Sequence, residues 1–180
     1  MTLASVALWI GTIGMALGAG YFASLIPSAS EKSRHFYYIT FAVALTATIS
    51  YLTMATGKGQ QLIANDGGSG FRPFYYARYV DWTVTTPLLL LDLALLGLMR
   101  PARQLGLIIT LIVLDLIMIE FGLIGGATQG AGKYVWWAIA TVAMIGLLYL
   151  LVSRVLPQAR AQGQEIGSLY STIATLTVVL

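Results

Sequence analysis

Residues 78–96 read RYVDWTVTTPLLLLDLALL, and their chemistry decides how the whole chain is read. The run is apolar enough to cross a bilayer, yet it holds one arginine and two aspartates. An ionisable side chain at the centre of a membrane helix costs roughly 2.5–3.5 kcal/mol on insertion scales, and such groups usually mark function. Arg78 and Asp81 are three residues apart, Thr85 follows Asp81 by four, and Asp92 follows it by eleven. At 3.6 residues per turn these spacings put all four on one helix face, with the two carboxyls about 16 Å apart along the axis. An arginine beside Asp81 favours its ionised form, whereas the leucines around Asp92 favour the neutral acid. An acceptor and a proton-bearing donor in one file suggest a proton path with a switch between them.

The rest of the chain agrees with a membrane setting. Of 180 residues, 58% are hydrophobic and 9% are charged, against about a quarter charged in a soluble domain. Apolar runs recur at about 5–26, 36–56, 74–97, 104–127 and 134–153, and a sixth opens near 165 and is still running at Leu180. Each complete run is long enough for a spanning helix, and none alternates as a barrel strand would. The expected architecture is one all-α membrane domain covering 1–180, and the chain is expected to continue past Leu180. The segment GKGQQLIANDGGSGFRP is rich in turn formers, and its apolar QQLIA centre is expected to form a short hairpin over the outer face. Ser30 or Ser33 is a candidate cap for the second helix, and RVLPQARAQGQE reads as a loop.

With helices alternating in direction, Lys32, Arg34, Arg100, Arg103, Arg154 and Arg160 fall on one side, and Lys58, Arg72 and Lys133 on the other. The excess predicts that the first side is cytoplasmic and the N-terminus extracellular, in a multi-pass protein of the cell membrane. The basic residues thus report orientation, which argues against nucleic acid as a partner. With no cysteine, disulfides and thiolate metal sites are excluded, and no metal site is expected. Asp115 shares a face with Met118 and Gly122, and a neutral carboxyl hydrogen-bonded inside the bundle accounts for it as well as a transport role does. Glu120 lies about 140° round the helix from Asp115, which directs it toward lipid or a neighbouring subunit. Trp82, on the charged segment, suits the wall of a ligand cavity better than an interfacial belt.

The stretch RYVDWTVTTPLLLLDLALL resembles the third helix of the microbial rhodopsins, most closely the bacteriorhodopsin-type light-driven proton pumps. FYYITFAVALTATISYLTM resembles their second helix, DLIMIEFGLIGGA the fourth, YVWWAIATVAM the fifth and TLTVVL part of the sixth. The resemblance implies a seven-helix rhodopsin bundle, of which this chain carries five helices and part of the sixth. It implies all-trans retinal as cofactor, held as a protonated Schiff base on a lysine. Lys32, Lys58 and Lys133 are the only lysines and all fall in loops, so that lysine is expected beyond Leu180.

By the same resemblance Asp81 is counter-ion and proton acceptor, and Asp92 is the cytoplasmic donor. Arg78 couples Asp81 to outward release, Thr85 and Tyr51 lie beside the counter-ion, Thr40 partners Asp92, and Asp115 is the buried acid near the retinal ring. Trp82, Thr86, Leu89, Met118, Gly122, Trp137, Thr141 and Met144 correspond to the retinal pocket. Glu120 replaces a residue that is usually small, and Ala140 stands where a hydroxyl is common. The function implied is outward proton pumping driven by light, in a homo-oligomer that the resemblance makes a trimer, with protons and the lipid bilayer as its other partners. Asp81 argues against a chloride pump and Asp92 against many sensors. The alternatives are a sensory photoreceptor, or a non-pumping fragment without the retinal lysine. An intramembrane aspartyl protease needs its two aspartates on different helices, whereas these share one.

Overall fold

The computed structural model describes residues 3–66 and 68–179, with side chains described through residue 176. Leu180, at which the sixth run is still open, lies outside the described residues, as do residues 1, 2 and 67. The helices are α1 (Leu3–Leu25), α2 (Arg34–Ala55), α3 (Tyr76–Gly97), α4 (Leu105–Ala127), α5 (Gly132–Leu150), α6 (Leu156–Ala161) and α7 (Gln164–Val179). Among the described residues five rods are long and apolar enough to cross a membrane, one of them the continuous rod Gly132–Ala161 that α5 and α6 form. Consecutive helices pack side by side from α1 to α5, and α7 returns to lie against α3 and α6. One end of the bundle carries the α2–α3 hairpin; the opposite, basic end carries Lys32, Arg34, Arg100, Arg103, Arg154 and Arg160.

The apolar runs set the helices, and local chemistry sets their ends. The helix of the third run starts at Tyr76 because Phe74 closes a strand. Strands β1 (Gln61–Ala64) and β2 (Phe71–Phe74) pair antiparallel, Gln61 opposite Phe74 and Ala64 opposite Phe71, so the expected hairpin forms with QLIA as one strand only and with Phe74, the expected start of the third span, in the other. Gly68 and Gly70 take φ of +85° and +86° in the connecting turn, a region open to glycine at little cost. The hairpin is tied across the bundle: Arg72 Nη2 donates to Gly126 O at 2.9 Å, and Asp66 accepts from Gly130 N at 3.0 Å and pairs with Lys133.

Two local expectations are corrected. Ser33 precedes α2 in a helical conformation, and its side chain caps nothing. Its hydroxyl instead meets the Ser30 hydroxyl at 2.7 Å, so the two candidate caps satisfy each other. The segment RVLPQARAQGQE is not a loop through most of its length. A π-helical turn, Leu151–Val155, widens the rod so that Leu156 N donates to Leu151 O, and Pro157 then sits in the first turn of α6. Proline is tolerated in a first turn, where its missing N–H has no helical partner to lose. Pro87 lies inside α3, where neighbouring helices of a bundle support the interrupted backbone.

The largest apolar cluster lies at the basic end and includes Leu93, Ala94, Leu111, Leu147, Val155 and Tyr170. Its closest approach runs through Gly97, where a Cβ would meet Val155 Cγ1 at 2.5 Å and Tyr170 Cε2 at 2.7 Å. Polar stitches surround it. The Gln104 and Gln158 side-chain amides exchange hydrogen bonds of 2.7 and 2.9 Å. Gln162 Nε2 donates to Gly97 O at 2.9 Å, satisfying a carbonyl that the end of α3 leaves open.

Candidate functional site

The site is built on α3, whose two faces carry different chemistry. Asp81 and Thr85 are each 4% exposed, and Asp92, three turns further on, is half-buried. The Thr85 hydroxyl donates to the main-chain carbonyl of Asp81 at 2.9 Å. That bond uses the hydroxyl's one hydrogen, and Asp81 Oδ1 is buried without a partner. An unpaired buried carboxyl oxygen carries a desolvation cost of about 1–3 kcal/mol or more, so the site holds a polar group in want of a partner.

The expected Arg78–Asp81 pair is not formed. Among the described residues the one ion pair is Lys133–Asp66. Arg78 is exposed, and its guanidinium carbon lies 6.0 Å from the ring centroids of both Tyr75 and Trp82. The reason is local: Tyr75 and Trp82 stand three before and four after Arg78, on its own face, and offer two π surfaces to the cation. Asp81 turns inward while Arg78 stays between the rings.

Asp92 opens into a cavity of about 630 Å³. Its walls run from Thr86, Asp115 and Met118 in the middle of the bundle, past Asp92, to Ser33, Phe36 and Tyr37 at the basic end of α2. Asp92 Oδ1 is buried without a hydrogen-bond partner. Thr40, expected beside Asp92, gives its hydroxyl hydrogen to Phe36 O at 2.9 Å, one turn back on its own helix. Tyr51 packs against α1, its ring where a Cβ on Gly11 would fall, 2.5 Å from Cδ1.

Of the eight residues assigned to a ligand pocket, the cavity wall contains Thr86, Leu89, Met118 and Met144. Trp82, Gly122, Trp137 and Thr141 lie outside it. Trp82 stands edge-on to Tyr79 at 5.5 Å, and a Cβ on Gly122 would meet the same Tyr79 ring at 3.8 Å. Trp137 is 65% exposed, and Thr141 donates to its carbonyl at 2.8 Å. None of the three lysines lines the cavity.

Asp115 is 3% exposed, and its Oδ2 lies 2.6 Å from the Thr86 hydroxyl across the α3–α4 seam. The reading of Asp115 as a carboxyl hydrogen-bonded inside the bundle agrees with this geometry. Glu120 is corrected: it faces α3, with Oε1 2.8 Å from the Thr83 hydroxyl. Sequence reasoning placed Glu120 relative to Asp115 on its own helix but had no measure of how α3 is rotated against it. The clue that was available is a threonine at matching depth on the preceding helix. Sequence reasoning also missed Ser33, Phe36 and Tyr37 as cavity residues and the glutamine stitches of the basic end.

The arrangement can hold two protons about three helical turns apart, one at a closed position and one in an open cavity. The family model for bacteriorhodopsin-like proteins matches residues 2–180. A bacteriorhodopsin from Haloterrigena sp. (strain arg-4) is 40% identical over 178 residues, covering 98% of this chain and 69% of that protein. The crystal structure of a thermophilic rhodopsin from Rubrobacter xylanophilus superposes with a TM-score of 0.91 at 46% identity, over 97% of this chain and 75% of that one. The light-driven proton pump rhodopsin of Coccomyxa subellipsoidea superposes with a TM-score of 0.88 at 32% identity, over 95% of this chain and 74% of that one. A model matched from residue 2 to residue 180 and a relative at 40% identity place this chain in the bacteriorhodopsin-like family.

Proposed function

We propose a light-driven outward proton pump that uses retinal, with Asp81 as Schiff-base counter-ion and proton acceptor and Asp92 as cytoplasmic donor. The observation that carries the reading is the disposition of the two α3 carboxyls. Asp81 is enclosed, Asp92 opens into a cavity reaching the basic end, and each keeps a buried oxygen free. Proton pumping by a relative of the same fold supports it.

The residues present fit an elongated apolar cofactor. The cavity lies within the range of small-molecule sites, its wall is mainly leucine and methionine, and its polar groups are few. Thr86, Leu89, Met118 and Met144 would line the polyene, while Trp82, Gly122, Trp137 and Thr141 would join the pocket from α3, α4 and α5. When bound through a lysine outside these 180 residues, retinal supplies the light-absorbing protonated Schiff base. Everything else falls to the chain. Asp81 Oδ1 accepts a proton in the closed half of the path. Thr85 fixes the backbone turn that presents Asp81. Arg78 rests between two rings and would move toward Asp81 when the charge on that carboxyl changes, which would couple acceptance to release on the outer side. Asp92 holds a proton in the cavity and gives it inward, and the route past Ser33 refills it from the cytoplasm. Direction comes from the difference in surroundings, because each carboxyl must accept at one stage and donate at another.

The basic end would face the cytoplasm and the hairpin end the exterior, so the N-terminus would be extracellular. A homo-oligomer, a trimer as in the sequence reading, is part of the same proposal. The deciding experiment is light-driven pH change in vesicles that hold the full chain with all-trans retinal. Outward acidification that collapses with a protonophore is the expected result. A coloured protein with no light-driven pH change would overturn the pump in favour of a sensor.

A further inference from the structure

Two bridges cross the α3–α4 seam, and the proton path uses neither the Thr83–Glu120 pair nor the geometry the two make together. The Thr83 hydroxyl lies 2.8 Å from Tyr79 O and 2.8 Å from Glu120 Oε1. One turn along, the Thr86 hydroxyl lies 2.8 Å from Trp82 O and 2.6 Å from Asp115 Oδ2. A hydroxyl has one hydrogen to give. Each threonine therefore shares that hydrogen between a carbonyl of its own helix and a carboxyl oxygen of α4, and so ties the two helices together. No described lysine or arginine forms an ion pair with Glu120.

The bridges also have a definite place around α3. At 100° per residue, Thr85 and Asp92 stand about 40° and 20° from Asp81, while Thr83 and Thr86 stand about 200° and 140° from it. The seam therefore grips α3 from behind the face that carries the proton path. Two grips three residues apart on α3 fix rotation about the axis as well as separation, and rotation is what aims Asp81.

We propose that Glu120 is a positioning residue: through Thr83 it holds α3 from the side opposite Asp81 and Asp92, so that, with the Asp115–Thr86 bridge, it sets the orientation of the acceptor. This rests on the pump reading for its consequence, though the bridge itself does not. The test uses the full chain in lipid, with Glu120→Leu, Thr83→Val, the double variant, and Glu120→Gln, whose amide oxygen can still accept from the Thr83 hydroxyl. Each of the first two is expected to lower the thermal midpoint by about 2 °C, and the double variant by less than their sum. Both should also move the visible band of the retinal-loaded protein, and Glu120→Gln should restore it. Additive midpoints would overturn the bridge. Coupled midpoints with an unmoved band in every variant would leave a bridge that positions nothing, and would overturn the proposal. A parent chain that takes up no retinal would instead sink the pump reading, and the midpoint cycle would still decide whether Glu120 holds α3.

Discussion

The two ends of the bundle are closed by different chemistry. At the hairpin end the ties are exposed and polar: Arg72 to Gly126 O, and Asp66 to Gly130 N and Lys133. At the basic end they are buried or packed: Gly97 against Val155 and Tyr170, and the Gln104–Gln158 amide pair beside them. The carboxyls differ in the opposite sense. Asp81, toward the hairpin, is enclosed, while Asp92, toward the packed end, opens into the cavity. A strongly packed end can tolerate a cavity, because its stability comes from apolar contact around the opening. The hairpin end has only a small buried cluster of Leu8, Met54 and Ala77 besides its polar ties, and there Asp81 is shut in.

That contrast is tested most severely at the acids. If Asp81 is the counter-ion and acceptor proposed above, Asp81→Asn should abolish light-driven pumping outright and shift the visible band to longer wavelength. An unchanged colour would break the assignment of Asp81 as counter-ion. Asp92→Asn should leave the first proton transfer intact and slow reprotonation by orders of magnitude, read by flash photolysis at neutral pH. If the variant cycles at the parent's speed, the open cavity does not deliver the proton that matters.

What the sequence made legible divides along physical lines. The spans were readable because apolar runs of membrane length leave few alternatives, and the Asp81–Asp92 file because helical periodicity acts within one helix. The Thr83–Glu120 bridge depends on how two helices are rotated against each other, which periodicity in either one does not contain. Arg78 was misplaced because a carboxyl and two aromatic rings compete for it within one turn, and sequence spacing ranks them equally. The helical course of Arg154 to Ala161 was hidden by Pro157. A proline reads as a break unless a wider turn ahead of it relieves the ladder, and that turn has no signature in residue type.

The packed end makes the next prediction. Gly97→Ala puts a methyl group within 2.5 Å of Val155 Cγ1 and 2.7 Å of the Tyr170 ring, and neither is the free end of a flexible chain. Overpacking of this kind costs about 1–3 kcal/mol, seen as a lower thermal midpoint. If the Gly97→Ala variant melts at the parent's midpoint, the basic end is looser than its buried cluster suggests, and the account of why Asp92 can sit in a cavity loses its support.

The smallest effect is expected at the hairpin, and its sign follows from one group. The Lys133 ammonium, and after it the Gly130 N–H, hold the Asp66 carboxyl below its ordinary value of 3.8. A group that binds its proton less readily when folded stabilises the fold at pH above its unfolded value. That contribution is complete above about pH 5, shrinks as pH falls through 3.8, and is gone below the folded value. The pair is exposed, so salt screens it and the effect is slight. Asp66→Asn should therefore lower the thermal midpoint a little at neutral pH and by progressively less as pH falls below 3.8, with the difference shrinking in high salt. A substitution effect that persists undiminished in acid would mean that Asp66 acts through its hydrogen bond to Gly130 rather than its charge. The hairpin end would then be tied by backbone geometry, as the basic end is by packing, and the two ends would differ less than their residues imply.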